Sequence, residues 1–560
     1  MQKVVARRIR TNGCAWLATF VLSYSAGAAA VSMPNPPLMF ATDYVKPSGS
    51  TVNVPSGGDL QSAIDDAKPG DTLVLLAGGS YKGPINLPNK SGSEWIYIQS
   101  SAYSSLPSPG TRVSPMDAKN MARITASSTA NRAIATMPGA HHYRIVGIEI
   151  APDAGNYVTE LVQIGNGDTS VSALANNITL DRCYIHGDSN VGGRRGVELD
   201  GAYAAIVDSY VTDFKEIGSD TQALWAANTS GPIKIVNNYL EAVSENILFG
   251  GAPSLSADLV PSDIEIRGNY FFKPTSLQSS NWGDAVKNLL EFKAGRRVLV
   301  TQNRFENSWA AAQAGWGMTI SPRGEYGASP WTVTEDIAIT ENIWLNVGQG
   351  IRVGGSDDSG PTLTTARVLI KNNYINVTGA GGADGRMFST LSGPTDVTID
   401  HNTGFITGGQ NEALNLSDIL PKAPRFVFTN NLVSSGEYGF RGNSTAAGLP
   451  TLGVYFADWT FTQNAIIGGE SGSYPSGNFF PASIDQVGFT NYSGGDYRLK
   501  DSSPYKGAGT DGLDLGANMA LLTQQMSATM TSSTVPTPTI APTTSKQKAK
   551  PSPPTNLSVH

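Results

Sequence analysis

The chain has 560 residues, a formal net charge of −7, only 15% charged residues and 61 glycines. An acidic balance without a long basic run excludes the electrostatic footprint of a nucleic-acid binder. Low charge and abundant glycine at this length suit a large domain built from many tight turns.

Lys3, Arg7, Arg8 and Arg10 precede an apolar stretch from Cys14 to Tyr24 and then the small residues Ala26–Ala30. This is the pattern of a secretory signal over 1–30, cut near Ala30. The apolar run is short for a span, so no membrane span is expected after cleavage. Cleavage removes Cys14 and leaves Cys183 alone, so stability rests on the core rather than on a disulfide. Asp59–Lys68 reads as a short amphipathic helix, with Leu60, Ala63, Ile64 and Ala67 on one face behind an Asp59 cap. Such a helix would cover the open first coil of a solenoid.

From Ile233 to Ile467 one phrase keeps returning: apolar, any, apolar, any, any, Asn. It ends at Asn238, Asn269, Asn303, Asn342, Asn373, Asn402, Asn431 and Asn464, with spacings of 31, 34, 39, 31, 29, 29 and 33. Such a period marks one structural unit repeated. The alternation of two predicts a short strand with one buried face, and the Asn follows at a turn. Helical repeats would space apolar residues by three and four, and a propeller blade would need four strands per period. The coil of a parallel β-helix remains. In it the Asn amides can donate and accept along the stack, satisfying turn groups that water cannot reach, and Asn tolerates the left-handed backbone of such corners. Earlier coils place Cys183 and Ser209 where Asn is expected, and Thr72–Leu76 and Trp95–Ile98 read as coils further back.

The predicted fold is therefore all-β: a right-handed parallel β-helix over 31–526 with a short N-terminal capping helix. A Pro-, Thr- and Ser-rich linker follows at 527–552, and 553–560 resembles the opening strand of a fibronectin type III module.

Gly58–Gly83 (GDLQSAIDDAKPGDTLVLLAGGSYKG) resembles the opening of secreted β-helix carbohydrate enzymes of the pectate-lyase-like superfamily, and Tyr497–Gly516 resembles their closing segment. Between them CYIHGD, RRGVELDG, NNYLEAVSENILFGG and NLLEFKAGRRVLVTQNRFENSW resemble a group of large exported bacterial β-helix repeat proteins. The resemblance implies the fold, export and, as partner, an extracellular polysaccharide bound by a monomer. It does not choose among lyases, polygalacturonases, epimerases and non-catalytic adhesins.

A strand after each Asn turn aligns coil by coil, with Val197/Leu199, Ile247/Phe249, Leu290/Phe292, Met318/Ile320 and Ile351/Val353 inward. Trp225, in a coil of less regular register, is expected inward. The outward columns then read Glu198, Leu248, Glu291, Thr319, Arg352 and Asp200, Gly250, Lys293, Ser321, Gly354. NLLEFKAG is similar to a strand of the chondroitinase B and alginate lyase type. That likeness implies Lys293 as base, Glu291 as a calcium ligand and Arg323, from the next coil, assisting the leaving oxygen. The family places two Glu before its Lys, whereas this strand has Glu291 alone. A Lys base must shed its proton, so the reading asks for cations nearby: Arg296, Arg297 or calcium on Glu291.

A rival pair, Glu198 and Asp200, could serve glycoside hydrolysis or simply brace turns beside Arg194 and Arg195. It lies three coils, roughly 14 Å, from Glu291. Arg352, Trp309 and Trp316 complete the expected substrate contacts, because five of nine Trp fall between 282 and 344, among the longest insertions. Asp357 and Asp358, within Gly354–Gly360, read as a polar turn, with calcium binding as the alternative. The histidines lack metal-binding spacing, so zinc is not expected.

Overall fold

The computed structural model describes residues 30–127, 131–165 and 167–530. The expected signal segment before residue 30, the linker beyond residue 530 and the fragment 553–560 lie outside the described residues. No helix among those described is long and apolar enough to cross a membrane.

The chain forms a right-handed parallel β-helix of three long sheets with 14, 13 and 12 strands. Each regular coil contributes one strand to each sheet. In one coil Ile233–Val236 enters the first sheet, Tyr239–Ala242 the second and Glu245–Phe249 the third. The strand that the sequence aligns after each Asn turn is thus the third of its coil. Its register holds, since Ile247 pairs with Leu290, Leu290 with Met318 and Met318 with Ile351. All five expected inward pairs lie in one continuous apolar core. Inside, Phe271, Phe305 and Trp344 stack with ring centroids 4.4 and 3.7 Å apart.

The asparagines form a buried ladder along the turn between the first and second sheets. Asn303 Nδ2 donates to Asn342 Oδ1 at 3.0 Å and to Ile266 O at 2.9 Å, while Asn303 N also donates to Asn342 Oδ1. The pattern repeats from Asn238 to Asn464 and continues to Asn478. Ser209 and Cys183 extend it at the other end, with Cys183 N donating to Ser209 Oγ at 3.0 Å. The left-handed conformation belongs to the residue before each ladder position rather than to the ladder Asn. Gln302, Glu341, Asn372, His401 and Asn430 all have φ between 51° and 59°.

The capping helix is Leu60–Asp66, and Asp59 accepts from Ser62 N at 2.9 Å. Leu60 and Ile64 are buried in the same core as the first strands, so the helix closes that end. At the far end Leu449–Tyr455 packs beside Phe440. The segment after Ile484 folds back over the second sheet, placing Val487, Phe489, Tyr505 and Leu515 on Tyr374, Phe405 and Leu432. A final helix, Met519–Met530, extends past the expected linker boundary at 527.

A proline-rich strap precedes the first coil and runs back across the first sheet. Ser32 N, Asn35 N and Leu38 N donate to Asp396, Asp336 and Asp263, at 2.9, 2.9 and 2.8 Å. Those aspartates alternate along one column with Arg297, Arg367 and Arg425, which pair with them at 2.6–2.7 Å. Successive contacts are thus three strap residues and two coils apart. Two coils rise about 9.6 Å, and three residues of polyproline geometry span about 9.3 Å. The match explains why the segment around Pro34, Pro36 and Pro37 docks in register. Nearer the first coil, Lys234 holds Phe40 O and Arg144 holds Thr42 O, at 3.0 and 2.8 Å.

Candidate active site

The third sheet carries the outward columns. Glu198, Trp225, Leu248, Glu291, Thr319 and Arg352 occupy successive coils of one column by pairing. Trp225 therefore faces outward, correcting the expected inward placement. Its Nε1 donates to Gly250 O at 2.9 Å, and the Arg195 guanidinium lies 3.8 Å from its ring centroid.

Glu291 and Lys293 project from one short strand, Leu290–Phe292 and the residue after it. Lys293 Nζ lies 3.8 Å from Glu291 Oε1. The other oxygen of Glu291 accepts from Asn288 Nδ2 at 3.0 Å, and Asn288 also donates to Gln313 and Thr319. Arg323 is placed by its own backbone, since its N–H donates to Lys293 O at 2.9 Å. Its guanidinium reaches Glu325 at 3.4 Å and Asp357 at 4.0 Å. Arg352, in the Glu291 column, feels the charge of both Glu291 and Asp357. Arg296 and Arg297 do not serve as the expected neighbouring cations. Arg296 lies 3.5 Å from Glu335 on the first sheet, and Arg297 is committed to Asp263. Lys287 takes that place: it is drawn to Glu245, Asp220 and Glu291 together.

A further row lies where the third-sheet strands begin: Glu160, Arg195, Gln222 and Glu245, joined by side-chain hydrogen bonds. Strict alternation would put Glu245 inside with Ile247. The strands instead bend there, so that Leu161 and Val162, or Leu289 and Leu290, are consecutive core residues. Glu245 is fully buried, and burial together with the charge of Glu291 pushes its carboxyl up. Glu245 Oε1, Asn288 Oδ1, Ser321 Oγ, Glu325 Oε1 and Gln349 Oε1 are all buried without a hydrogen-bond partner. Two of them still face a cation: Lys287 Nζ lies 3.8 Å from Glu245 Oε1, and Arg323 Nε 3.4 Å from Glu325 Oε1.

Glu198 and Asp200 lie on the same sheet, three coils before Glu291. Asp200 Oδ1 accepts from Ala227 N and Asn228 N at 2.8 and 3.0 Å, so it braces the next coil's turn. Glu198 accepts from Gln163 Nε2 at 3.0 Å, and its carboxyl is pushed up by burial and by Asp200. Both carboxyls thus serve hydrogen bonds within the chain, Asp200 to the next coil's turn and Glu198 to Gln163.

Trp309 and Trp316 are 3% and 5% exposed. Trp309 packs with Val243, Val286 and Trp282, tying the long insertions to the coils. Neither ring presents an open face for a sugar. Asp357 accepts from Ser359 N and Oγ at 2.8 and 2.5 Å, as a polar turn does. A cavity of about 1140 Å³ lies away from this face, against His401 and Lys371 under the C-terminal segment. Lys371, Arg498 and Lys506 there are paired with Asp400, Asp496 and Asp514.

No family model matches the chain, and no curated protein matches it in sequence. Among solved structures it is similar to the PL6 family alginate lyase AlyGC, with a TM-score of 0.48 and 14% identity over 83% of this chain. It spans 58% of that lyase. A mannuronic-acid-specific family 6 polysaccharide lyase from human gut microbiota gives 0.41 and 13%, covering 78% of this chain and 93% of that one. A pectate lyase gives 0.30 and 12%, covering 84% and 96%. What the chain has in common with these proteins is the fold, a parallel β-helix.

Proposed function

We propose that the outer face of the third sheet is a polysaccharide groove, and that the chain is an exported monomeric lyase cleaving an acidic polysaccharide by β-elimination. One observation carries the reading. Lys293 and Glu291 stand 3.8 Å apart on one rung, with Arg323 rooted on Lys293 and Arg352 in the Glu291 column. Lys287, drawn to both Glu245 and Glu291, adds a further cation beside them.

In this reading Lys293 Nζ removes the proton beside the uronate carboxylate. The electron pair forms a carbon–carbon double bond, the bond to the glycosidic oxygen breaks, and that oxygen takes a proton with Arg323 stabilising its charge. Arg352 and Lys287 offset the substrate carboxylate. Glu291 orients Lys293 and holds the Asn288 amide.

Calcium on Glu291 belongs to the same proposal. Glu291, Asn288 Oδ1 and Glu245 Oε1 are hard oxygen donors of the kind it takes, although no cluster of three or more acidic, His or Cys side chains suited to a metal occurs among the described residues. When bound, the ion would neutralise the substrate carboxylate. A calcium-dependent rise in melting temperature, lost in Glu291→Gln, would test it apart from activity.

Absorbance of unsaturated uronides during incubation with a polyuronide panel tests the function. Product that survives Lys293→Ala removes the base assignment. Reducing ends without unsaturation would mean hydrolysis, and binding without cleavage a non-catalytic carbohydrate-binding protein.

A further inference from the structure

Resting on the groove reading, we infer that Tyr326 is a stacking platform for a uronate ring at the groove's rim, one subsite beyond the sugar that faces Lys293.

The segment after Ile320 leaves the third sheet at Ser321 and crosses toward the first. Its root is fixed on the proposed base by the bond from Arg323 N to Lys293 O. Two residues later the backbone does something costly. Glu325 and Tyr326, neither of them glycine, are consecutive left-handed residues with φ of 46° and 57°. Side chains with a Cβ avoid this region, and a bulky ring there is uncommon.

The surroundings hold the loop in place. Tyr326 N donates to Ser359 O at 2.6 Å, on the loop of the next coil. Ser329 Oγ and Trp331 Nε1 both donate to Ser254 O, at 3.0 and 3.1 Å, on the loop of an earlier coil. Strain of this kind persists only where neighbours over-determine it, and it collects at ligand sites.

What the strain achieves is exposure. Tyr326 is 82% exposed. Its hydroxyl accepts from Arg323 Nη2 at 3.2 Å, and that guanidinium lies 5.6 Å from the ring centroid. A loop built for packing would turn such a ring inward. This one holds an aromatic face in water beside a cation, one coil from Lys293.

The ligand follows from those two groups. The C–H face of a pyranose carries small positive charge and lies against the negative face of an aromatic ring. Arg323 alongside supplies the partner for a carboxylate on the same sugar. Beneath the loop Glu325 Oε1 lies 3.4 Å from Arg323 Nε, which helps to hold the guanidinium beside the ring. Trp309 and Trp316, which composition favoured for stacking, are buried, which leaves Tyr326 to present a ring beside the base.

The test is binding of polyuronide oligosaccharides by calorimetry in a Lys293→Ala background, where cleavage cannot confuse the reading. Tyr326→Ala is expected to weaken binding about tenfold, while Tyr326→Phe keeps affinity within a factor of about two. In the active protein Tyr326→Ala should raise KM with little change in kcat, as loss of uniform binding does. Tyr326→Gly supplies a readout that a structural role would not give. Glycine accepts the left-handed backbone without strain, so the melting temperature should rise while affinity falls. Equal affinity for Tyr326→Ala and the parent, or a fall in melting temperature with Tyr326→Gly, overturns the inference. Binding lost in Tyr326→Ala by a chain that yields no unsaturated product would sink the lyase reading and leave this one standing. Unsaturated product with indifference to Tyr326 would do the reverse.

Discussion

The outer faces of the first and third sheets are built by the same coils, yet they treat polar groups in opposite ways. On the first sheet Asp263, Asp336 and Asp396 alternate with Arg297, Arg367 and Arg425, and the strap's N–H groups take the remaining acceptor capacity. Each charge there is answered within the chain. On the third sheet Glu245 is met by Lys287 only at 3.8 Å, and Lys293 stands 3.8 Å from Glu291 without a close hydrogen bond. A column whose charges pair closely stabilises the fold, whereas a loosely paired lysine is left able to meet a ligand. The first is scaffold and the third is the place to look for chemistry.

The sharpest break of that contrast is Lys293→Ala. A positioned general base contributes roughly a hundredfold to ten-thousandfold in rate, so activity on the responsive polyuronide should fall by at least about a hundredfold. The melting temperature should stay within about a degree of the parent, because Lys293 makes no short ion pair that folding depends on. A large stability loss together with the activity loss would mean that Lys293 is a structural group and that the two faces are alike.

Asp336→Ala applies the opposite operation to the first sheet. Asp336 is buried and holds both Arg367 and the strap at Asn35. Arg367 keeps Glu335 as a second partner, so the loss should be about 2 kcal/mol, between the values for exposed and fully buried pairs. Chemical denaturation would measure it, and limited proteolysis should cut earlier within residues 32–45. Activity per folded molecule should be unchanged. A variant that lost activity at full stability would show the strap face to be coupled to the groove.

Much of this division could be read in the sequence, for a physical reason. Buried Asn rungs tolerate no slip, since each amide serves two coils, and the ladder therefore fixes which side chains share a column. Glu198, Glu291, Thr319 and Arg352 fell into place on that basis. The misses come where periodicity gives no information. The strap has no repeat, only prolines, and its partners are three residues apart while theirs are two coils apart. Glu245 was hidden because the third-sheet strands bend at their start and break the alternation. Trp225 and Trp309 were misassigned because an aromatic residue suits either face equally well. The left-handed backbone at Glu325 and Tyr326 leaves no trace in residue type, whereas a glycine there would have announced the turn.

The smallest expected effect is the most selective, because pH should move the two faces in opposite directions. On the first sheet burial raises the carboxyls of Asp263, Asp336 and Asp396, but their arginines and the strap N–H groups outweigh it and hold all three below the usual range. A lowered carboxyl contributes stability that is present above the unfolded value of about 3.9 and is lost as pH falls through the folded value. On the third sheet burial pushes Glu198 and Glu245 up. The folded chain then keeps protons that the unfolded chain releases near pH 4.3, so stability falls as pH rises from about 4.3 through the folded values. The stability profile should therefore have an acid limb to which the Asp–Arg column contributes and a gentler decline toward alkaline pH to which Glu198 and Glu245 contribute. Glu245→Gln removes a buried charge while keeping the shape and an acceptor for Gln222. It should flatten the alkaline limb and gain about 1 kcal/mol at pH 8, leaving the acid limb untouched, whereas Asp336→Ala should shrink the acid limb alone. Denaturation midpoints of the two variants across pH 3–9 separate these outcomes. If Glu245→Gln left the alkaline limb as steep as before, the third-sheet carboxylates would be as well compensated as the Asp–Arg column, and the distinction between the two faces would fail at its electrostatic root.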